Sequence, residues 1–373
     1  MRVGLLLSAV VLIISANGAR ATQITYTVDP NAPVSATNFH TISAATGQES
    51  SGNTYTIDVV PGTYANDFPV INQPTDIEAT GPGVILQATA PIPSSQGIIE
   101  TFANLTVNGL TISGAFASDP NSSAAAIRDH NDGSATANTL IVENSLIENS
   151  QNGIQTQGSG NKENVTISND NFVGDGGPIG PAHALYIGDA ATADIISSTF
   201  CGTVDGHDIK SRAATTTVSG STLFVGATGT GCSTAGTTGI GVDAPNGGVL
   251  DLVNDSIIQG PSNSNGALVS YGEEGVLFTT NSLNAVNTDF SSTVNGLAIQ
   301  ELPTCITPAA VLNGGNTFQG TRAMINQSNC LTNARLNASL LPPTPTVPEP
   351  GTLTLLTSAL LSLGALRRSS RRK

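Results

Sequence analysis

The stretch Leu140–Ile147, which reads Leu-Ile-Val-Glu-Asn-Ser-Leu-Ile, decides the fold of this 373-residue chain because its pattern recurs along the sequence. Its apolar positions Leu140, Val142 and Ile147 are spaced by two residues and then by five. A step of two keeps both side chains on one face of a strand, and a step of five crosses a tight turn into another short strand. Six further triplets of apolar or β-branched residues share this spacing: Leu105/Val107/Ile112, Val165/Ile167/Phe172, Ala193/Ile195/Phe200, Thr216/Val218/Leu223, Leu250/Leu252/Ile257 and Leu283/Ala285/Phe290.

The turn inside this pattern has its own residue types, glycine and asparagine, which readily adopt a positive φ. They stand two places after the middle member of six triplets, at Gly109, Asn144, Asn169, Gly220, Asn254 and Asn287. The third members of successive triplets lie 23 to 35 residues apart, which is typical of a solenoid with one coil per copy and loops of varying length. We therefore predict one all-β solenoid domain over residues 22–340, followed by a proline-rich linker at 341–346.

With its triplets, 40 glycines and no tryptophan, the chain resembles the right-handed parallel β-helix proteins of the pectate-lyase-like class over roughly residues 35–335. The segment Phe39–Tyr64 ends in Pro-Gly-Thr-Tyr and looks like the first coil of such proteins. The resemblance implies a single-stranded right-handed parallel β-helix, with its functional groove on the outer face of one sheet.

The N-terminus predicts export. Met1-Arg2 precedes an apolar core from Val3 to Ser15, and Ala19-Arg20-Ala21 then gives a small-x-small cleavage site. This order is typical of a signal peptide over residues 1–21, removed by signal peptidase so that the mature chain begins near Thr22.

The C-terminal residues 347–373 predict a second address. Val-Pro-Glu-Pro-Gly is followed by an apolar segment at 351–366 and then by five basic residues, which favour a cytoplasmic end. Because 16 residues are fewer than the roughly 20 of a stable membrane span, a transient helical anchor is expected. The order resembles the PEP-CTERM sorting signal of Gram-negative bacteria that make exopolysaccharide. That resemblance implies cleavage by an exosortase and delivery to the cell surface or matrix. An ordinary tail anchor is the alternative.

The net charge of the body excludes some classes of partner, and its cysteines predict disulfides. Without leader and tail, six basic residues remain against 26 acidic ones, so the body carries a net charge near −20 that disfavours nucleic acid and anionic membranes as partners. Four cysteines in an oxidising compartment predict two disulfides. Cys201–Cys232 and Cys305–Cys330 close the shortest loops, although three pairings are possible. A metal site is disfavoured because no Cys-x-x-Cys occurs.

A row of polar residues marks the predicted functional face. Each follows an aliphatic residue of the second strand of its coil, and stacked coils would place them about 4.8 Å apart. The alternative to a functional groove is an ordinary solvent-exposed face that binds nothing. The row comprises Arg128, Gln155, Tyr186, Lys210 and Asp243.

The segment Gly206-His207-Asp208-Ile209-Lys210-Ser211-Arg212 holds two of the six basic residues of the body. Strand alternation predicts that Asp208, Lys210 and Arg212 point outward together. His207 and His183 occupy equivalent places in adjacent coils, so their rings should stack. They would be proton carriers near neutral pH if they lie at the groove edge, and structural corner residues otherwise.

Glycine-rich turns follow two later strands, at Asp243–Gly248 and Tyr271–Gly275. Over residues 183–275 the chain resembles a family of bacterial right-handed β-helix repeat proteins of unnamed activity. We predict Lys210, Arg212, His207 and Tyr186 as catalytic residues. The predicted substrate-binding residues are Arg128, Gln155, His183, Asp243, Tyr271 and Glu273.

Two classes of function fit these residues. Polysaccharide lyases and uronate epimerases both need a base, a cation beside the uronate carboxylate and a proton donor, which Lys210, Arg212, Tyr186 and His207 could supply. Pectin hydrolases of this fold carry Asp-Asp, which is absent here, and the few Thr-x-Thr steps disfavour ice binding. The other class is a non-enzymatic surface protein that binds polysaccharide. No cofactor is expected apart from a Ca²⁺ ion that could bridge a uronate to the acidic body.

Overall fold

In the computed structural model the chain is a right-handed parallel β-helix, so the solenoid that the triplets predicted and the architecture that the resemblance implied are both confirmed. The structure describes residues 21–117, 124–130, 138–157, 160, 162–177, 182–263, 266–301, 311–312, 314–321 and 323–327. Three long parallel sheets run along the solenoid, and each coil contributes one strand to each sheet in turn. The predicted leader, linker and sorting segment lie outside the described residues.

Sheet 1 carries the first two members of every triplet and has 12 strands. Its strands are Gln23–Val28, Asn38–Phe39, Thr54–Val59, Thr75–Ala79, Leu105–Asn108, Thr139–Glu143, Glu163–Ser168, Ala190–Ile196, Thr215–Ser219, Val249–Val253, Ser282–Val286 and Val311–Leu312.

Sheet 2 carries the third member of every triplet and has 10 strands. Its strands are Gly62–Ala65, Val84–Gln87, Thr111–Ser113, Leu146–Glu148, Asn171–Val173, Thr199–Cys201, Thr222–Val225, Ser256–Gln259, Asp289–Ser292 and Thr317–Gln319.

Sheet 3 also has 10 strands and carries the predicted polar row. Its strands are Val70–Ile71, Gly97–Thr101, Ala125–Asp129, Asn152–Thr156, Leu185–Ile187, His207–Ser211, Ile240–Ala244, Ala267–Tyr271, Leu297–Glu301 and Ala323–Gln327.

The triplets form the solenoid core, and every one of their members is buried. The six predicted turn residues all have positive φ, between 52° at Asn287 and 79° at Gly109. In the remaining triplet Ser197 takes this position, with φ of 50°. Phenylalanines stack between neighbouring coils inside the core, with 4.6 Å between the ring centroids of Phe172 and Phe200. The backbone therefore turns at the same place in each of these coils. As a result, each interior side chain lies above its counterpart in the neighbouring coil.

The N-terminal end of the core carries the one helix among the described residues, Ile42–Thr46. The Asp67 carboxylate accepts hydrogen bonds from the backbone N–H groups of Ile42 and Ser43, at 2.6 and 3.0 Å. Tyr64 of the predicted first-coil turn donates to the carbonyls of Val28 and Val60. These contacts fix the opening coil onto the strands beside it.

The predicted disulfide Cys201–Cys232 is confirmed, with 5.5 Å between the Cα atoms. It packs with Phe224 and Ala227 in a small apolar cluster outside the main core. Cys305 and Cys330 lie outside the described residues, so their pairing stays a prediction. Within the described ranges, no helix is long and apolar enough to span a membrane.

Candidate functional site

The predicted polar row exists on sheet 3, in the predicted order. Strand pairing places Arg128 beside Gln155, Gln155 beside Tyr186, Tyr186 beside Lys210, and Lys210 beside Asp243. The same register extends the row with Glu100 before Arg128 and with Ser270 and Gln300 after Asp243. Aliphatic side chains of the same strands point into the core, which leaves this row on the outer face.

The centre of the row is a cluster of charged side chains around Arg212. The Arg212 guanidinium binds both carboxylate oxygens of Glu274 through Nη2, each at 2.7 Å, while its Nη1 donates to the Tyr186 hydroxyl. Lys210 Nζ donates to Glu274 Oε1 at 3.0 Å. The pKa of Arg212 is raised, because Glu274 and Tyr186 outweigh the lowering effect of burial.

Asp243 lies beneath these cations and is fully buried. Its Oδ2 is 3.4 Å from Lys210 Nζ and 3.6 Å from His207 Nε2. Burial raises the pKa of Asp243 to about 6, although the neighbouring Lys210 lowers it. We call Tyr186, His207, Lys210, Arg212, Asp243 and Glu274 the site cluster.

The two predicted histidines are neighbours, with ring centroids 4.9 Å apart. His183 Nδ1 accepts a hydrogen bond from the His207 backbone N–H at 3.1 Å. Burial, together with the nearby cations, lowers the pKa of His183 to about 2 and that of His207 to about 4. The neutral rings pack against each other at equivalent places of adjacent coils, which fits the alternative that they are structural corner residues.

The two glycine-rich turns pack on each other and carry Glu274 to the cluster. The Tyr271 hydroxyl donates to the carbonyl of Gly248, and Gly247 and Gly248 have φ of 76° and 88°. The backbone N–H groups of Gly272 and Glu274 donate to the carbonyls of Ala244 and Pro245, both at 2.9 Å. The turn after strand Ala267–Tyr271 is thereby fixed above the end of strand Ile240–Ala244.

Three predicted positions are corrected by burial. Tyr271 is fully buried in the core, and His183 is only 3% exposed, so neither is available to bind a sugar. Asp243 is buried as well and acts on its neighbours in the cluster. For Tyr271 the reason is that it stands at an inward position of its strand, where its hydroxyl anchors the Asn246-Gly247-Gly248 turn from below.

Asp208 does not point outward with Lys210, contrary to prediction. The same strand position is also buried in other coils, at Ala126, Ala184 and Ala298, so burial at this position does not follow simple alternation. Asp208 is fully buried, and its Oδ1 accepts a hydrogen bond from the Thr203 hydroxyl at 2.7 Å. Burial raises its pKa to about 8.

Glu274 was missed as a site residue, and its carboxylate forms ion pairs with both Lys210 and Arg212. The predicted residue was its neighbour Glu273, which is exposed. Alternation cannot decide which of two adjacent glutamates in a turn faces the cluster. The one available signal was that Tyr-Gly-Glu-Glu-Gly follows a strand of the same sheet.

Several polar atoms along the row are buried yet have no hydrogen-bond partner among the described residues. They include Arg128 Nε, Gln155 Oε1 and Ser270 Oγ. No group of three or more His, Cys, Asp or Glu residues in the described part of the chain could hold a metal ion.

No family model matches the chain, and no curated protein matches it in sequence. Its structure is similar to that of the A-module of the mannuronan C-5 epimerase AlgE4 from Azotobacter vinelandii, with a TM-score of 0.43 and 14% identity. The match covers 79% of this chain and 94% of that one. Inferences about chemistry therefore rest on the side chains of the site cluster.

Proposed function

We propose that the protein acts on an anionic polysaccharide by removing the proton beside the carboxylate of a uronate unit, as lyases and uronate epimerases do. The supporting observation is the convergence of Tyr186, Lys210 and Arg212 from adjacent coils on one spot of the outer face. Such a spot combines a proton-transfer group with two cations, the combination that this chemistry needs.

Arg212 is the proposed binding group for the uronate carboxylate. In the free protein it holds Glu274 in a bidentate pair, the arrangement that a substrate carboxylate would reproduce. The Glu274 side chain is 39% exposed and sits on a turn, so a substrate can exchange with it from the solvent side. Lys210 supplies the second positive charge.

Tyr186 is the proposed proton-transfer group, because the Arg212 guanidinium donates to its oxygen and would stabilise its phenolate form. The phenolate takes the proton from the carbon beside the carboxylate, and the electron pair moves into the carboxylate, where the two cations neutralise it. If the neighbouring C–O bond then breaks, Tyr186 returns its proton to the leaving oxygen and a C=C bond forms. If no bond breaks, a water molecule protonates the carbon from the opposite face, which inverts it, and the resulting hydroxide takes the proton from Tyr186.

Lys210 is the alternative base. In that role its amine would have to be neutral, although the carboxylates of Asp243 and Glu274 lie beside it. Its variants separate the two roles. Lys210→Arg should retain part of the turnover if Lys210 acts as a cation and none if it is the base. Lys210→Ala should remove turnover in either case.

The experiment is a screen of the purified protein against polymannuronate, polygalacturonate and a neutral glucan. Ultraviolet absorbance detects unsaturated products, and proton NMR detects inverted sugar units. Tyr186→Phe should abolish turnover with binding retained, and Arg212→Ala should weaken binding about tenfold or more. Lys162→Ala, an exposed lysine away from the cluster, is the control. Turnover of an anionic polymer that survives Tyr186→Phe would contradict the assignment.

A non-enzymatic polysaccharide-binding protein is the second candidate. It is favoured by Glu274, which satisfies both cations in the free protein. Binding of an anionic polymer without turnover in the same screen would establish this function instead.

Export and surface sorting complete the proposal. The protein would lose residues 1–21 to signal peptidase and be cleaved near Pro348-Glu349-Pro350 by an exosortase, which delivers it to the surface or matrix of a Gram-negative cell. Mass spectrometry of the mature protein tests both cleavages. A calcium requirement stays a prediction, and loss of polymer binding on chelation would support it.

A further inference from the structure

We propose that a second carbohydrate subsite lies on sheet 3 around Phe102, remote from the site cluster, and that it binds a further unit of the same polymer. This inference rests on the proposed function for its ligand class. The Phe102 subsite comprises Glu100, Phe102, Arg128 and His130.

The core of this subsite is an exposed aromatic ring with a rigid backing. Phe102 is 48% exposed, and its ring stacks on His130 with centroids 4.6 Å apart and planes 7° from parallel. His130 Nε2 is held by Glu100 Oε2 at 3.0 Å. The Phe102 backbone N–H donates to the Ile71 carbonyl at 2.9 Å. The ring is therefore fixed while much of its surface faces solvent.

Polar groups surround this ring as they do in a carbohydrate site. Arg128 Nε is buried and has no hydrogen-bond partner among the described residues. The pKa of Glu100 is lowered, because hydrogen bonds from His130 and Ser94 outweigh the raising effect of burial. An ionised Glu100 can accept hydrogen bonds from sugar hydroxyls, and the apolar C–H face of a sugar can cover an aromatic ring.

Register connects the Phe102 subsite with the site cluster. Glu100, Arg128, Gln155 and Tyr186 pair in sequence on adjacent strands, so three strand spacings separate Glu100 from Tyr186, about 14 Å. Arg128 lies between them and interacts electrostatically with both Glu100 and Tyr186. A polymer lying along the row would contact both places, whereas a short fragment held at Arg212 would not reach Phe102.

Because of this spacing, the protein should bind long polymer fragments more tightly than short ones. The experiment measures binding of uronate disaccharides and octasaccharides to the full protein by calorimetry. Phe102→Ala should weaken octasaccharide binding about tenfold and leave disaccharide binding unchanged. Phe102→Tyr should restore most of the loss, because the aromatic face is kept.

Phe116→Ala is the matched control. Phe116 is 53% exposed but follows strand Thr111–Ser113 of sheet 2, so this substitution should change neither affinity. Equal weakening for both ligand lengths, or an octasaccharide affinity unchanged by Phe102→Ala, would overturn the subsite. Because binding is measured, absence of turnover would refute the lyase or epimerase function without affecting this result.

Discussion

Among the single residues of the site, Glu274 controls how strongly the site cluster binds an anion. Its carboxylate occupies Arg212 and Lys210 together, so any uronate must exchange with it. The substitution Glu274→Ala should therefore raise the affinity for a small carboxylate such as glucuronate about fivefold to tenfold, measured by calorimetry. Glu273→Ala is the control, since it removes the same charge from the same exposed turn. An equal gain in both variants would mean that only net charge had changed.

Asp243 should make anion binding depend on pH. Burial raises its pKa to about 6, so it is ionised above that pH and neutral below it. Protonation of Asp243 removes one negative charge beside Lys210, and the cluster then attracts anions more strongly. The affinity for glucuronate should increase as the pH falls from about 7.5 to about 5.5.

The variant Asp243→Asn isolates this effect. Its affinity for glucuronate should be high and nearly constant across the same pH window, and the NMR signal of the Asp243 carboxyl should titrate over this window in the natural protein. The same pH slope in Asp243→Asn would assign the effect to another group.

Two coils of the solenoid approach each other closely at Gly206, just before strand His207–Ser211 of sheet 3. A Cβ atom at Gly206 would lie 1.5 Å from the carbonyl oxygen of Ala182 in the preceding coil. Gly206→Ala must therefore separate the two coils that carry His183 and His207. We expect a loss of about 2 kcal/mol or more in the free energy of unfolding, measured by denaturant titration.

Gly266→Ala is the control for this prediction at the scale of the strand. A Cβ at Gly266 meets no atom of the described residues within 4 Å, and stability should stay within about 0.5 kcal/mol. If Gly206→Ala is equally harmless, the close approach of the two coils is not a constraint on the fold.

The whole molecule buries several acidic side chains, and this should set its pH stability. Burial raises the pKa of Asp170 and Asp255 to about 7 and that of Asp208 to about 8. These values exceed the unfolded value of about 4, so the folded state binds more protons than the unfolded state between about pH 4 and pH 8. Their stabilising contribution is complete below about pH 4 and is lost as the pH rises through the folded values.

The melting temperature should accordingly be higher at pH 5.5 than at pH 8.5. The excess of acidic residues acts in the same direction, since partial protonation lowers repulsion within the chain. Asp208→Asn should reduce the difference between the two temperatures, because the amide does not ionise. A melting temperature that rises with pH would contradict this account.

The sequence by itself determined the repetitive part of this protein. The triplets predicted the core, and the six glycine and asparagine residues two places after the triplet centres predicted the turns. The row of polar residues that begins at Arg128 and ends at Asp243 predicted the outer face of sheet 3. These predictions succeeded because alternation and turn chemistry are local and every coil repeats them. The close pair Cys201 and Cys232 was predictable for a related reason, since both lie within one coil of each other along the chain.

Only the tertiary structure decided which side chains meet in the site. Asp208 is buried against Thr203, and the position of Glu274 depends on how its turn packs on Gly248. The stacking of Phe102 on His130 likewise joins residues at the exits of two strands. Irregular turns between coils have no period, so their direction is set by contacts with neighbouring coils, which a single sequence does not encode in its spacing.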